Sequence, residues 1–138
     1  MNKKGGKGFA IIQGFNHIIE SNKFNNYNNP NTIIGFVDAD MSTTPKAFYD
    51  LIKHINGYDS AIASRWKKGA VVKRSLGKLI RSRGFNILAR VLFLFPYKDT
   101  QCGAKIIKRN ALEKILPSLN ITEWAFDIDL LYQMKRKD

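Results

Sequence analysis

Disulfide chemistry within this chain is excluded, because it has a single cysteine, Cys102. A lone thiol fits a reducing compartment. Long apolar runs are missing too, and none reaches the roughly 18 residues that a bilayer-spanning helix needs. Near the N-terminus Phe9-Ala10-Ile11-Ile12 is too short for the apolar core of a secretory leader. Acidic residues are scarce, 11 against 23 Lys and Arg, which leaves a net charge of +12. That balance calls for an anionic partner: nucleic acid, an acidic membrane surface or a phosphorylated substrate. What remains is ordinary globular composition, 44% hydrophobic over 138 residues, enough for one domain with a real core. No internal repeat is visible.

Residues 1–8 read as a basic, glycine-rich loop. From Phe9 the apolar residues Ile12, Phe15 and Ile19 recur at helical spacing to about Ser21. The asparagine-rich stretch 22–31 reads as a surface loop. Residues 32–37 form an apolar run without alternation, predicting a strand buried on both faces. Thr43 or Thr44 caps a helix with Pro45 in its first turn, and Phe48, Leu51, Ile52 and Ile55 share one of its faces. Tyr58–Ser64 is a short second strand, followed by a basic loop, 66–73. The longest helix spans 75–95 up to Pro96, with Leu76, Leu79, Ile80, Ile87, Leu88, Val91, Leu92 and Phe95 as its apolar stripe. Its end, 91–97, reads either as core or as a membrane-dipping edge. Cys102–Lys108 is a third strand. Asn110 and Glu113 resemble a capping box that opens a short helix ending at Pro117, and 124–137 is a last helix. Alternating strands and helices predict an α/β fold with a mostly parallel sheet flanked by helices.

The first strand runs into Asp38-Ala39-Asp40. Ligands of parallel α/β sheets bind at the carboxyl ends of strands. If extended geometry persists to residue 40, both carboxylates lie on one face. Converging without an adjacent Lys or Arg, they repel each other unless a cation joins them. A hard divalent ion, Mg²⁺ or Mn²⁺, suits such oxygen ligands, with a substrate diphosphate completing its shell. The pair alone is equally well read as a helix cap beside a solvated acid.

The order of the segments carries a resemblance. "GGKGFAIIQG" (5–14) resembles the lysine-glycine loop of the family-2 glycosyltransferases, and "FVDADMSTTP" (36–45) resembles their D-x-D motif. "AIASRW" (61–66) is similar to their G-S-R strand end, with Ala63 for the usual glycine. "VVKRS" (71–75), "DTQCGAK" (99–105) and "WAFDIDLL" (124–131) resemble the branch that glycosylates polyprenyl phosphates, the dolichyl-phosphate β-glucosyltransferases and mannose synthases.

That resemblance implies a GT-A, Rossmann-like fold and transfer of a hexose, glucose before mannose, from UDP-glucose or GDP-mannose to a polyprenyl or dolichyl phosphate. It implies a single inverting displacement at the cytosolic face of a membrane (plasma membrane or endoplasmic reticulum), feeding protein or envelope glycosylation. Asp38 and Asp40 become the metal ligands, and with Lys7 and Gly8 they bind the donor. Asp40, Asp99 and Gln101 become catalytic-cleft residues. Arg65, Arg74, Lys78 and Arg81 hold the acceptor phosphate, because guanidinium forks suit phosphate geometry. Trp124 and Asp127 border the acceptor. An anionic phosphate oxygen needs no strong base, so His17 and His54 are left as surface residues. A family-2 enzyme with a hydroxyl acceptor would need a base, with Asp99 the first candidate. An inactive fragment is a further alternative. A basic nucleic-acid-binding module leaves the aspartate pair unexplained, and no nucleic-acid partner is expected.

The sequence departs from the family pattern at Ala104, where an aromatic residue is usual, and at Asp129, where a glutamate is usual. No nucleotide-base-binding strand precedes the lysine-glycine loop. The expectation is therefore a single partial catalytic domain over 1–138, incomplete at both ends.

Overall fold

A computed structural model describes residues 5–21, 29–40, 43–64, 76–97, 99–121, 123 and 125–137, with backbone only over 76–83. The described elements are helix α1 (Lys7–Glu20), strand β1 (Ile33–Val37), helix α2 (Pro45–Lys53), strand β2 (Ser60–Ile62), helix α3 (Leu76–Phe93), strand β3 (Ala104–Lys108), helix α4 (Arg109–Ile115) and helix α5 (Phe126–Lys137). A 3₁₀ turn, Leu116–Ser118, follows α4.

Local chemistry explains several boundaries. Thr44 caps α2: its Oγ1 accepts from the Ala47 N–H at 3.2 Å, with Pro45 at the first helical position. Helix α3 ends one turn before Pro96. Leu94 adopts φ +52°, and the Phe95 N–H donates to the Arg90 carbonyl at 3.0 Å, the reversal of a Schellman-type end. Leucine is costly in that conformation. Lys135 of α5 helps hold it, donating to the Phe93 and Leu94 carbonyls at 3.0 and 2.9 Å. The capping box expected at Asn110 does not form. Helix α4 starts at Arg109, and Glu113 instead accepts from Arg109 Nε at 2.7 Å, an i,i+4 pair.

The sheet has order β1-β3-β2 and both pairings are antiparallel. The α/β reading holds, but the mostly parallel sheet is not seen among the described residues. The outer strands run in the same direction, and β3 lies between them reversed. A non-alternating apolar run reports burial on both faces and carries no information about direction. Strand β1 is also less buried than expected: Ile34 is buried, whereas Gly35 and Val37 are exposed. The central strand, β3, is the buried one.

Helices α1, α4 and α5 cover the Ile34 and Ile107 side of the sheet, joining Phe15, Leu112, Ile115, Phe126, Leu130 and Met134 in one core. Each such fully buried side chain contributes about 1.5–3 kcal/mol by the transfer of apolar area. A second cluster packs Ala89 and Phe95 on Ile128 and Leu131 of α5. The apolar stripe read along α3 is divided. Of its residues with described side chains, Phe95 is buried, while Ile87, Leu88, Val91 and Leu92 are exposed. Ile87 and Val91 join Arg90, Leu94 and Phe95 in lining an open groove of about 530 Å³. Among the described residues no helix is long and apolar enough to cross a membrane.

Candidate active site

Register places three chain segments at one end of the sheet. Val37 pairs with Ala104, and the ladder continues one step: the Asp38 N–H donates to the Gly103 carbonyl at 2.7 Å. On the other side the Ala63 N–H donates to the Ala104 carbonyl at 3.0 Å. The carboxyl ends of β1 and β2 therefore flank the start of β3. Gly103 permits the close approach, because a Cβ there would overlap the Asp38 carboxylate and lie 2.9 Å from the Asp38 Cβ.

Two helix starts complete the cluster. Lys7 opens α1, earlier than its periodicity indicates, and its Nζ lies 2.9 Å from Asp38 Oδ1 and 3.1 Å from Asp127 Oδ2. Asp127 sits in the first turn of α5, where a carboxylate is favoured by the helix dipole. Its other oxygen, Oδ1, accepts from Lys105 Nζ at 2.5 Å, and that ammonium also donates to the Cys102 carbonyl at 2.6 Å. The result is a chain of alternating charge: Asp38, Lys7, Asp127, Lys105. The Phe36 ring lies 5.6 Å from both ammonium groups and packs between Phe15 and Phe126, each 6.1 Å away.

The two lysines sit in different environments. The Lys105 side chain is 1% exposed and its partner Asp127 7%, whereas Lys7 and Asp38 are 36% and 32% exposed. Burial pushes the Lys105 pKa below that of an ordinary lysine, and the charge and hydrogen bond of Asp127 only partly oppose it. For Lys7 burial also acts downward, but the hydrogen bond to Asp38 and the charge of Asp127 outweigh it and the pKa is raised. Lys7 is thus a firmly charged cation at the surface end of the chain.

Comparison with known proteins finds relatives that align over most of the chain. Over 104 residues the chain is 36% identical to a dolichyl-phosphate β-glucosyltransferase of Dictyostelium discoideum, covering 70% of this chain and 32% of that protein. A dolichyl-phosphate β-glucosyltransferase of Saccharomyces cerevisiae is 33% identical over 147 aligned positions, covering 96% of this chain and 41% of the relative. Glycosyltransferase AglD of Haloferax volcanii is 29% identical over 103 residues, 73% of this chain and 16% of that protein. The chain belongs to the family-2 glycosyltransferases. It spans less than half the length of each of these curated relatives. No family model matches it, and no solved structure does.

Several residues expected from the sequence meet here. Lys7 and Asp38 touch, and Asp127 joins them. Gly8 is buried beside Lys7 in the first turn of α1. Asp40 is exposed in the turn at 39–40, so the extended geometry assumed through residue 40 does not persist that far, although the Asp38 N–H still joins the ladder. Asp38 also has a lysine against it, which corrects the reading of two carboxylates without a nearby cation. Asp99, expected on a cleft wall, is fully buried, and Gln101 is half-buried. Thr100 between them is anchored through its N–H and hydroxyl to Asn86 Oδ1 of α3, at 3.1 and 3.0 Å. Asp129 staples a loop: Oδ2 accepts from the Asn120 and Ile121 N–H groups at 2.9 and 3.0 Å. His17 and His54 are exposed. Arg65, Arg74 and Trp124 lie outside the described residues, as do the side chains of Lys78 and Arg81.

The sequence reading missed Lys105. Its signal was present: a lysine amid the apolar residues of a strand demands a buried partner. Gly103 was quoted within a motif without a role, which the contact with Asp38 now supplies.

A divalent ion fits the chemistry of Asp38 and Asp40, which offer hard oxygen donors. Among the described residues no group of three or more His, Cys, Asp or Glu side chains converges. Two carboxylates leave most of the shell of such an ion to other oxygens, and Mg²⁺ commonly keeps several waters and substrate phosphates there.

Proposed function

We propose that this chain forms the donor-binding part of a GT-A-type hexosyltransferase that moves glucose from a nucleotide sugar, UDP-glucose, to a polyprenyl or dolichyl phosphate. One observation carries the reading: the lysine-glycine loop, the D-x-D strand end, the Q-C-G-A-K strand start and the F-D helix start supply one linked cluster, Lys7, Asp38, Gly103, Lys105 and Asp127. The names of the relatives supply the transferred sugar, glucose, and the acceptor, dolichyl phosphate.

In this mechanism a phosphate oxygen of the acceptor attacks the anomeric carbon. A new carbon–oxygen bond forms as the bond to the donor diphosphate breaks, with inversion, and the nucleoside diphosphate leaves. The nucleophile is already anionic, so no strong base is needed, and the burial of Asp99 is consistent with that. Asp38 and Asp40 hold Mg²⁺ or Mn²⁺, which when bound supplies positive charge to the leaving diphosphate. Lys7 and the backbone at Gly8 approach the same diphosphate. Gln101 lines the cleft, and Arg65, Arg74, Lys78 and Arg81 take the acceptor phosphate.

The acceptor is a lipid, so the site works at a membrane surface, which we place at the cytosolic face. The exposed row Ile87, Leu88, Val91, Leu92 and Leu94 supports this, with Arg90 at its groove and Lys135, Arg136 and Lys137 at the end of α5.

The test is transfer of labelled hexose to a polyprenyl phosphate from UDP-glucose and from GDP-mannose, with and without Mn²⁺. Metal-dependent transfer from UDP-glucose that falls at least a hundredfold in Asp40→Asn is expected, about 3 kcal/mol of transition-state stabilisation. Metal-independent transfer untouched by Asp40→Asn would remove the proposed role of the pair.

A further inference from the structure

The function proposed above puts a divalent ion on Asp38, yet a cation of the chain itself already sits there. We infer that Lys7 is a placeholder: it neutralises Asp38 while the donor site is empty and shifts to the donor diphosphate when a divalent ion takes the carboxylate. The inference rests on that functional reading and deepens it.

The geometry divides the charge chain into a fixed half and an exchangeable half. Lys105 and Asp127 are 1% and 7% exposed and 2.5 Å apart, and a buried pair of this kind is not opened by solvent. Lys7 and Asp38 are 36% and 32% exposed, so solvent, ions and ligands reach both. An ion pair at that exposure is worth only about 0–1 kcal/mol, so exchanging its cation costs little. Lys7 does not depend on Asp38 for its position. Its second contact, 3.1 Å to Asp127 Oδ2, tethers it to the half that stays, and its backbone is fixed in the first turn of α1. On leaving Asp38 the ammonium therefore remains beside the site, one side-chain swing from any phosphate held there. Asp38 is equally constrained, because its N–H is bonded to the Gly103 carbonyl at 2.7 Å. Only the carboxylate–ammonium contact needs to change.

A placeholder makes a paired prediction for a charge-removing change, tighter metal binding together with weaker diphosphate binding, whereas a static salt bridge predicts no loss of diphosphate binding. In Lys7→Met, Mn²⁺ binding to the 138-residue chain, followed by the electron paramagnetic resonance of free Mn²⁺, should tighten several-fold. UDP binding at saturating Mn²⁺ should weaken several-fold in the same variant. Lys53→Met removes a lysine stacked on Tyr49 in α2 and should change neither. Unchanged or weaker Mn²⁺ binding in a folded Lys7→Met overturns the inference alone. Absence of Mn²⁺ binding by the wild type, even with UDP, overturns the functional reading and the inference with it. If Lys7→Met does not fold, the wild type decides. Its Lys7 ammonium NMR signal should move on adding Mg²⁺ while that of Lys105 stays, and two unmoved signals under bound Mg²⁺ contradict the placeholder.

Discussion

Two glycines separate fold from site at the scale of single residues. A Cβ at Gly35 would meet the Lys105 carbonyl and Ile106 Cγ2 at 2.7 Å each, inside the sheet. Gly35→Ala should therefore destabilise by about 1–3 kcal/mol, the usual cost of overpacking, read by denaturant unfolding. At Gly103 the atoms most obstructed belong to the Asp38 carboxylate, which can rotate away, while the Asp38 Cβ at 2.9 Å needs only a small shift. Gly103→Ala should leave stability less affected and weaken binding of UDP with Mn²⁺ at least tenfold, read by titration calorimetry. Lys105 gives a third prediction. Lys105→Met strips Asp127 of its buried partner and should cost about 3–5 kcal/mol, part of which returns in the double variant Lys105→Met/Asp127→Leu. The sign with pH follows from the lowered pKa. Between that value and the ordinary 10.5 the unfolded chain holds the extra proton, so the wild type gains stability as pH rises through this window. Lys105→Met should lack that gain. Lys7 and Asp38 were legible because their motifs name them. Lys105 was not, because its meaning depends on a partner 22 residues away on another element.

Helix periodicity located α1, α2 and α3 to within about two residues, and Thr44 and Pro45 marked the start of α2 as their chemistry requires. Periodicity was less informative about what each face meets. The residues at 87, 88, 91 and 92 of α3 are spaced like a core stripe, yet all four are exposed. Spacing reports an apolar face and leaves its partner unspecified. Strand direction was hidden for a related reason: β3 enters between β1 and β2, and nothing local in the 104–108 segment encodes which neighbours it joins. If the exposed row rests on lipid, Val91→Glu/Leu92→Glu should reduce cosedimentation with anionic phospholipid vesicles several-fold. Unfolding should change by only about 1 kcal/mol, because these are surface positions. Loss of stability with unchanged vesicle binding would assign the row to packing instead.

At the scale of the whole molecule, the +12 charge and the acidic cluster belong to one design. A surface rich in cations would attract phosphorylated ligands, and at one end of the sheet two of those cations, Lys7 and Lys105, meet Asp38 and Asp127. The segments that form this cluster are separated by up to 120 residues and meet because the outer strand ends flank the start of β3. The most direct measurement is an amide NMR titration of the labelled chain with UDP-glucose and Mg²⁺. The signals of Lys7, Asp38, Gly103 and Asp127 should shift together along one binding curve. Signals of these four residues that stay fixed while others move, or that follow different curves, would contradict a single donor site built from all four segments.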